Sequence, residues 1–244
     1  MAHALGLSRS DMLIRAMRDD LPDAFEALVD RRLRREPVAH IVGSQEFFGR
    51  EFKVTPDTLI PRGDSEVLVE AALELKPDAR SVLDLGTGSG ALLLSVLAET
   101  GASGVGTDRS AAALAVAHGN ADLLGIESRA RFYLLDWHKS GWSDDLGTFD
   151  LILCNPPYVE EAADLDPDVR QFEPASALFA GPEGLDDYRV IIPQLRGLMN
   201  RDGVAILEIG HQQSDAVGEI AQSQGFAVQL RRDLANRPRA LILT

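Results

Sequence analysis

The segment SVLDLGTGSGALLLSVLA, residues 81–98, contains the strongest indication of the fold in this chain. Residues 81–85 are mostly apolar and predict a short buried strand, and the apolar run 91–98 predicts a helix. Three glycines between them, Gly86, Gly88 and Gly90, permit a tight turn and the close approach of a ligand to the backbone. A strand, a glycine-rich loop and a helix in this order are typical of a nucleotide-binding turn, in which the helix N-terminus favours a negative group.

Two acidic residues restrict the class of ligand that the glycine-rich turn can bind. Asp84 comes two residues before the first glycine, and Asp108 ends the next apolar run, residues 103–107. An acidic residue about 20 residues after a glycine loop suits the hydroxyls of a ribose. A phosphate-binding loop is disfavoured because no Gly-Lys-Ser/Thr follows the glycines. A nicotinamide dinucleotide site would show the same loop and acid, so this stretch leaves both cofactor classes open.

A second motif, Asn155-Pro156-Pro157-Tyr158, follows the apolar run 149–154. Consecutive prolines fix φ and remove two N–H donors, which leaves nearby carbonyls free to accept hydrogen bonds from a ligand. Asn155 adds an acceptor and Tyr158 a flat face, so the motif can hold a planar amide or amine with its lone pair towards an electrophile. It predicts methyl transfer to nitrogen. The alternative is a simple turn after a strand, because Asn and Pro are common turn residues.

The rest of the chain alternates between helix and strand signals, which predicts an α/β fold. Seven strands with this spacing predict an open, mainly parallel sheet whose last strand is antiparallel. The predicted strands are 81–85, 103–107, 131–135, 149–153, 204–209, 226–230 and 240–243, and the predicted helices include 64–75, 185–199 and 212–223, with a long loop before residue 185. Ligands gather beyond the carboxyl ends of such strands, where both motifs fall.

The N-terminal region has a different pattern. Residues 10–35 show helical periodicity, with Leu13, Met17, Phe25, Leu28 and Leu33 apolar, and Pro22 predicts a break between two helices. Residues 37–61 are rich in Phe, Val, Ile and Gly and predict a β-hairpin linker. We therefore expect three parts: a short helical substrate-recognition domain (1–36), the β-hairpin linker (37–61) and a cofactor-binding domain (62–244).

The composition and charge of the chain argue against several classes of protein. The 244 residues carry a formal net charge of −14, which makes the chain a poor general binder of nucleic acid. The basic run 31–35 is interpreted as a solvated helix end that complements the helix dipole. No apolar stretch is long enough to span a bilayer and no signal peptide is evident, so we expect a cytoplasmic protein without a membrane partner. The histidines lack metal-ligand spacing, and Cys154 is expected to be a small core residue.

Together these motifs resemble the S-adenosylmethionine-dependent methyltransferases of the Rossmann-like class. More narrowly, the chain is similar to the HemK/PrmC family of release-factor glutamine methyltransferases, over about residues 20–244. Segments outside the cofactor motifs carry the narrower resemblance; they are 36–43 (EPVAHIVG), 59–66 (LIPRGDSE) and 169–174 (VRQFEP). Gly63 departs from the family pattern, which usually has proline there.

The resemblance implies the cofactor, the substrate and the residues that bind them. The cofactor is S-adenosylmethionine, and the substrate is the glutamine of the Gly-Gly-Gln motif in peptide chain release factors, bound by a monomeric enzyme. The implied catalytic residues are Asn155, Pro156, Pro157 and Tyr158. The implied cofactor-binding residues are Asp84, Gly86, Thr87, Gly88, Ser89, Gly90, Asp108, Asp136, Trp137 and Asn155. Arg62 and Glu66 either help to close the pocket or form a structural salt bridge.

Three alternatives remain open at this point. A glutamine methyltransferase of a ribosomal protein would share the Asn-Pro-Pro-Tyr motif. A methyltransferase of the exocyclic amine of adenine would flip the base into the same pocket and stack it on Tyr158. The acidic balance and the absence of a target-recognition domain disfavour that reading. A binding module without catalysis is disfavoured because every motif residue is present.

Overall fold

The computed structural model describes residues 1–16 and 20–244. The strands are β1 (Ser44–Phe47), β2 (Arg50–Lys53), β3 (Ser81–Leu85), β4 (Ser103–Asp108), β5 (Ala130–Leu134), β6 (Phe149–Cys154), β7 (Met199–Glu208), β8 (Val228–Arg232) and β9 (Pro238–Leu243). The helices are α1 (Ala2–Leu5), α2 (Arg9–Arg15), α3 (Ala24–Leu33), α4 (Val38–Val42), α5 (Glu66–Leu75), α6 (Ala91–Glu99), α7 (Ala111–Leu123), α8 (Pro167–Phe172), α9 (Asp186–Leu198) and α10 (Ser214–Ser223).

The main sheet has seven strands in the order β5-β4-β3-β6-β7-β9-β8. Strands β3 to β7 pair in parallel, whereas β9 is antiparallel to both β7 and β8. The predicted α/β fold, with a seven-stranded sheet and an antiparallel last strand, is confirmed. The chain turns from β3 to β4 on one side, and later returns to place β6 on the other side of β3. A ligand crevice is expected outside the carboxyl ends of β3 and β6, because the strand order reverses there.

Both faces of the sheet are buried, which explains the nearly continuous apolar runs of its strands. Alternate residues of β6 enter different cores: Leu151 and Leu153 pack beneath α5 and α6, whereas Ile152 and Cys154 pack beneath α9 and α10. Cys154 is fully buried, as predicted, and burial raises the pKa of its thiol well above the usual range. The side chains of β6 are therefore taken up by the two cores, and contact with a ligand is left to residues beyond the carboxyl end of the strand.

The linker prediction was incomplete. Residues 44–53 do form an antiparallel hairpin, but residues 38–42, predicted as part of the β-rich linker, form helix α4. Pro37 precedes this helix, and Gly43 ends it in the left-handed conformation with φ 83°. A proline start and a glycine stop are strong helix signals, and they outweighed the β-branched residues between them.

Two further boundaries differ from the prediction. The expected loop before residue 185 contains helix α8, which begins at Pro167, a residue whose fixed φ suits a first helical turn. Strand β7 begins at Met199 rather than Val204, because Met199 pairs with Phe149 and the register then shifts before Leu151 pairs with Val204. Local sequence patterns do not reveal such an irregular pairing, since it depends on the partner strand.

The basic run at the end of α3 is not simply solvated. Arg32 Nη1 lies 2.6 Å from Asp168 Oδ2, and Arg35 Nη1 lies 3.6 Å from Asp168 Oδ1. Arg31 pairs with Glu36 in a bidentate contact. Arg31 and Arg32 do lie in the last turn of α3, where their charges complement the helix dipole, and Arg32 and Arg35 remain partly exposed, as predicted. The contacts from Arg32 and Arg35 to Asp168, which connect this helix end to α8, were not predicted. Pro22 does separate α2 from α3, while Met17 lies outside the described residues.

Across the described ranges, no helix has the length and apolar character needed to cross a membrane.

Candidate active site

The glycine loop and the Asn-Pro-Pro-Tyr motif meet at one cavity, located at the carboxyl ends of β3, β4 and β6. The cavity encloses about 870 Å³, including its open mouth. Its lining includes Gly86, Thr87, Gly88, Ser89, Asp108, Trp137, Asn155 and Pro157 from the predicted site. The hairpin adds Phe47, the rest of the linker adds Thr58, and the residues just after the linker add Arg62 and Ser65. The segment after α8 adds Pro174, Ser176 and Ala177.

Hydrogen bonds with β4 and with Asp84 hold the glycine loop, residues 86–90, in place. The backbone N–H groups of Gly86 and Thr87 both donate to the carbonyl of Thr107, at 2.9 and 2.8 Å. The Thr87 hydroxyl donates to Asp84 Oδ2 at 2.6 Å. Asp84 is buried and does not line the cavity, and its burial raises the pKa of the carboxyl to about 7. We interpret Asp84 as a residue that stabilises the loop through its hydrogen bond with Thr87.

Asp108 faces the cavity with its carboxylate already oriented. Its Oδ2 accepts the Gly88 N–H at 2.9 Å, and its Oδ1 accepts the Ser110 N–H at 2.8 Å. Each carboxylate oxygen has a second lone pair, so both can still accept from a ligand hydroxyl. Burial raises the pKa of Asp108, opposed by these two hydrogen bonds. The arrangement provides a rigid acceptor for a diol.

Trp137 forms the floor of the cavity beside Gly86. A Cβ atom at Gly86 would lie 3.0 Å from Trp137 Cη2, so the glycine allows the indole to approach the loop. Trp137 Nε1 donates to Asp187 Oδ1 at 2.5 Å, and His138 Nε2 lies 3.1 Å from the same oxygen. Asp136 instead accepts the His138 N–H and does not line the cavity. The indole therefore presents a flat, fixed surface next to the predicted ribose site.

The Asn-Pro-Pro-Tyr segment divides between the cavity and the core. Asn155 and Pro157 line the cavity, whereas Pro156 is buried and lies outside the lining, as does Tyr158. The Tyr158 hydroxyl donates to the buried Glu208 Oε1 at 3.2 Å, and burial raises its pKa above the usual range. Tyr158 thus has its hydroxyl end anchored away from the cavity.

Gln213 holds the backbone of this segment in place. Its Nε2 donates to the carbonyls of Tyr158 at 3.0 Å and Gly184 at 3.2 Å, and its Oε1 accepts the Gly210 N–H at 3.0 Å. The Gly184 backbone approaches the Tyr158 backbone so closely that a Cβ atom at Gly184 would lie 2.3 Å from the Tyr158 carbonyl oxygen. One side chain therefore joins three separate loops behind the predicted clamp.

The rim of the cavity is closed by an ion pair that differs from the expected one. Arg62 lines the cavity and pairs with Glu173, whose side chain is buried and whose Oε2 also accepts the Ile60 N–H at 3.1 Å. Glu66, the expected partner of Arg62, accepts the Phe48 N–H at 2.9 Å instead. Helix α5 directs Glu66 towards the hairpin. Of the two alternatives left open for Arg62 and Glu66, a salt bridge between them was therefore wrong.

Sequence reasoning missed several residues that hold the site together. Asn120, on a helix and fully buried, hydrogen-bonds both the Lys53 backbone and the Ser89 carbonyl and so ties the hairpin to the glycine loop. Asp187, Gln213 and Glu208 play similar supporting roles. None belongs to the motifs recognised in the sequence. Only Glu208 gave a signal, as a charged residue within the apolar run 204–209. Gly90 caps α6 with φ 84° and does not line the cavity.

No cluster of three or more His, Cys, Asp or Glu residues that could hold a metal ion occurs in residues 1–16 and 20–244.

The fold and this cavity define a Rossmann-like methyltransferase. Residues 76–187 match a family described as a methyltransferase domain, and residues 1–43 match the PrmC N-terminal domain. A solved ribosomal protein L11 methylase from Lactobacillus delbrueckii subsp. bulgaricus superimposes with a TM-score of 0.54 at 22% identity, covering 74% of this chain and 79% of that one. A SAM-dependent methyltransferase from Agrobacterium tumefaciens gives 0.54 at 17% identity, covering 82% and 68%. These likenesses show the fold.

Sequence relatives identify the family. A release factor glutamine methyltransferase of Rhodospirillum rubrum is 40% identical over 248 residues, covering 98% of this chain and 75% of that protein. A protein of the same name from Cereibacter sphaeroides is 43% identical over 247 residues, covering 98% and 86%. The chain belongs to the release factor glutamine methyltransferase family.

Proposed function

We propose that this chain transfers a methyl group from S-adenosylmethionine to the side-chain amide nitrogen of the glutamine in the Gly-Gly-Gln motif of peptide chain release factors. The observation that carries the proposal is the identity of about 40% with release factor glutamine methyltransferases over 98% of the chain. The cavity supports it, because it joins a cofactor loop to an acceptor-rich segment within one enclosed space.

The cofactor part of the cavity has the chemistry that S-adenosylmethionine requires. Asp108 offers two oriented carboxylate oxygens to the ribose hydroxyls, and Trp137 offers a flat apolar surface to the adenine. The backbone of Gly86 and Gly88 can lie against the ligand because neither carries a side chain. When bound, the sulfonium supplies an already activated methyl group.

The acceptor part of the cavity is built from Asn155 and its neighbours. An amide nitrogen is a poor nucleophile, so holding it in line with the methyl carbon can contribute several kcal/mol. Asn155 Oδ1 would accept one N–H bond of the amide, and the Pro156 carbonyl is a second candidate acceptor. Both interactions strengthen as positive charge develops on the nitrogen. Pro157, in the cavity wall, would restrict the glutamine side chain to one orientation.

The remaining parts of the chain are assigned by position. We propose that residues 1–36 contribute to recognition of the release factor, that 37–61 form a linker, and that 62–244 form the catalytic domain. The ion pairs from Arg32 and Arg35 to Asp168 support this assignment, because they connect α3 to the segment that continues into the cavity rim. A cytoplasmic monomer that binds neither nucleic acid nor membrane is part of the same proposal.

The test uses methyl-labelled S-adenosylmethionine, a purified unmodified release factor and peptide mass spectrometry. Label on the Gly-Gly-Gln glutamine is expected, with none on a matched release factor carrying Gly-Gly-Ala. Asn155→Ala should lower kcat by about 100-fold, a larger factor than any loss of cofactor affinity that calorimetry measures in the same variant. Cofactor binding with label only on a ribosomal protein, or only on adenine in nucleic acid, would contradict the proposed substrate.

A further inference from the structure

Asn120 joins the hairpin to the glycine loop. It lies on α7 and is fully buried. Its Nδ2 donates to the Ser89 carbonyl at 2.8 Å and to the carbonyl of Lys53, the last residue of β2, at 3.0 Å. Its Oδ1 accepts the Lys53 N–H at 2.8 Å. Both N–H bonds of the carboxamide and its oxygen are engaged, so loss of the side chain breaks three hydrogen bonds at once.

The two segments that Asn120 joins both contribute to the cavity wall. Ser89 lines the cavity from the glycine loop, and Phe47 lines it from the hairpin. Phe47 is also part of the core, where its ring meets that of Phe52 edge-on with centroids 6.2 Å apart. The shape of the cavity therefore depends on how the hairpin is held relative to the loop.

The other hydrogen bonds of the loop lead to the sheet. Residues 86–88 bond to Asp84 on β3 and to Thr107 and Asp108 on β4. Among the hydrogen bonds of residues 1–16 and 20–244, those of Asn120 alone connect the loop with the hairpin. A movement of one segment reaches the other through this carboxamide.

The hairpin has two further polar attachments, and both reach helices. The Phe48 N–H donates to Glu66 Oε1 on α5 at 2.9 Å, and Arg50 pairs with Glu99 on α6. Neither contact touches residues 86–90. These attachments hold the hairpin on the domain without holding the glycine loop, so they provide a comparison for the role of Asn120.

We propose that Asn120 couples cofactor binding to the hairpin. A cofactor bound at the glycine loop holds the loop in place and, through the contacts of Asn120 with Ser89 and Lys53, holds the hairpin closed as well. Asn120 does not line the cavity, so it is a positioning residue that acts through these two neighbours. The inference rests on the proposed function, since it requires the cofactor to bind at the loop.

The hairpin is also the point at which the N-terminal helices attach. Arg31 on α3 donates to the His40 carbonyl on α4 at 3.2 Å, and α4 ends at Gly43, whose carbonyl accepts the Val54 N–H at 3.1 Å at the base of the hairpin. Residues 1–36 are proposed to recognise the release factor. The coupling therefore gives the cofactor-loaded enzyme an ordered cavity wall and an ordered attachment for these helices.

The size of the effect follows from ligand linkage. Amides of the hairpin exchange with solvent through local opening. A ligand that binds only while the loop is in place slows any opening that frees the loop, by a factor that approaches 1 + [ligand]/Kd. If opening of the hairpin breaks the Asn120 contacts and frees the loop, the hairpin amides acquire this factor. If the two segments open independently, the amides exchange at an unchanged rate.

The test measures amide hydrogen exchange of residues 44–54 in the full chain by mass spectrometry. S-adenosylhomocysteine, the demethylated product of the cofactor, is the probe, and calorimetry gives its Kd for each protein. Every protein is compared without probe and with probe at about 100 times its own Kd, so that a change in affinity does not affect the comparison. Circular dichroism and Tm report folding.

The variants are Asn120→Ala and the matched control Arg50→Ala, which removes the pair with Glu99 and leaves the Asn120 contacts in place. We expect the probe to slow exchange of the hairpin by at least about tenfold in the wild type and in Arg50→Ala. In Asn120→Ala, the probe should slow it by less than about twofold.

A wild type that binds the probe without slower exchange in the hairpin would overturn the inference. Equal slowing in Asn120→Ala and the wild type would also overturn it, because the protection would then come from direct contact of the ligand with the hairpin. If Asn120→Ala does not fold, Asn120→Ser decides by the same criteria.

The proposed function and this inference fail in different ways. A wild type that binds no S-adenosylhomocysteine refutes the proposed cofactor and the inference together. A wild type that methylates the release factor but shows no effect of the probe on the hairpin refutes the inference alone. Coupling observed in a protein that labels no glutamine refutes the proposed substrate and supports the role of Asn120.

Discussion

Trp137 Nε1 donates a hydrogen bond to Asp187 Oδ1 at 2.5 Å, and this bond holds the indole against Gly86 in the cavity floor. Asp187 is 4% exposed, lies on α9 and does not line the cavity. A residue that never lines the cavity therefore fixes the surface proposed to hold the adenine.

Replacing Asp187 with alanine should weaken cofactor binding. The change leaves the buried Trp137 N–H without its acceptor, at a cost of about 1–3 kcal/mol, so the indole should turn to find another partner. We expect the Kd for S-adenosylmethionine to rise about tenfold by calorimetry. His138→Ala is the control, because it removes the other contact of Asp187 and keeps the Trp137 bond. An equal rise in Kd for Asp187→Ala and His138→Ala would contradict the conclusion that the Trp137–Asp187 hydrogen bond positions the indole.

Gly86→Ala should abolish cofactor binding for a steric reason. Its φ is 74°, which costs a residue with a Cβ about 1–2 kcal/mol, and the new methyl would lie 3.0 Å from Trp137. Gly125 has φ 68° and no atom within 4 Å of its Cβ position, so Gly125→Ala carries the backbone cost alone. We expect Gly86→Ala to lose at least as much Tm as Gly125→Ala, and only Gly86→Ala to lose affinity by more than tenfold in calorimetric titration. Unchanged affinity in Gly86→Ala would refute the close packing of loop and indole.

Gln213→Ala should affect kcat more than cofactor affinity. Without its side chain, the Tyr158 carbonyl loses a hydrogen bond and the Asn155 segment loses its tie to the loop at Gly184. We expect kcat to fall about tenfold, since small displacements of a positioned acceptor are costly. The exposed neighbour Gln212 gives the matched control Gln212→Ala. Steady-state kinetics and calorimetry on both variants separate the effects, and a fall in affinity without a fall in kcat would contradict the prediction.

Asp84 should make stability depend on pH. Burial raises its pKa from 3.8 to about 7 in the folded protein, so between these values the folded state binds a proton that the unfolded state has lost. The free energy of unfolding should therefore fall as pH rises from about 4 to about 7, and this contribution should be constant above that range. Above about pH 7, the raised pKa of Asp84 should lower the free energy of unfolding by on the order of 4 kcal/mol relative to its value at pH 4 or below. Urea unfolding from pH 4 to 8 measures it, and Asp84→Asn should lack this slope. A slope unchanged in Asp84→Asn would assign it to other groups.

Much of the fold was predictable because its determinants are local. Strand β3 was predicted at its observed bounds, and β4, β5 and β6 within about one residue, since buried parallel strands are short apolar runs bounded by polar or glycine residues. The loop 86–90 and Asn155 were predictable because their signals are also local: glycines permit the positive φ values of a tight turn, and consecutive prolines fix φ wherever they occur. Helix α4 and the start of β7 were missed, because capping at one and an irregular pairing at the other outweighed residue propensity.

The succession of helices and strands along the chain, the class of cofactor loop and the family could be predicted from the sequence, because they follow from periodicity, glycine and proline positions and continuous motifs. The partners of the polar side chains could not be predicted, because they depend on the tertiary structure. Arg62 pairs with Glu173 across 111 positions, and Gln213 reaches Tyr158 across 55. Such pairs depend on how helices pack on the sheet, and a pairwise contact between distant residues leaves no local pattern in the chain.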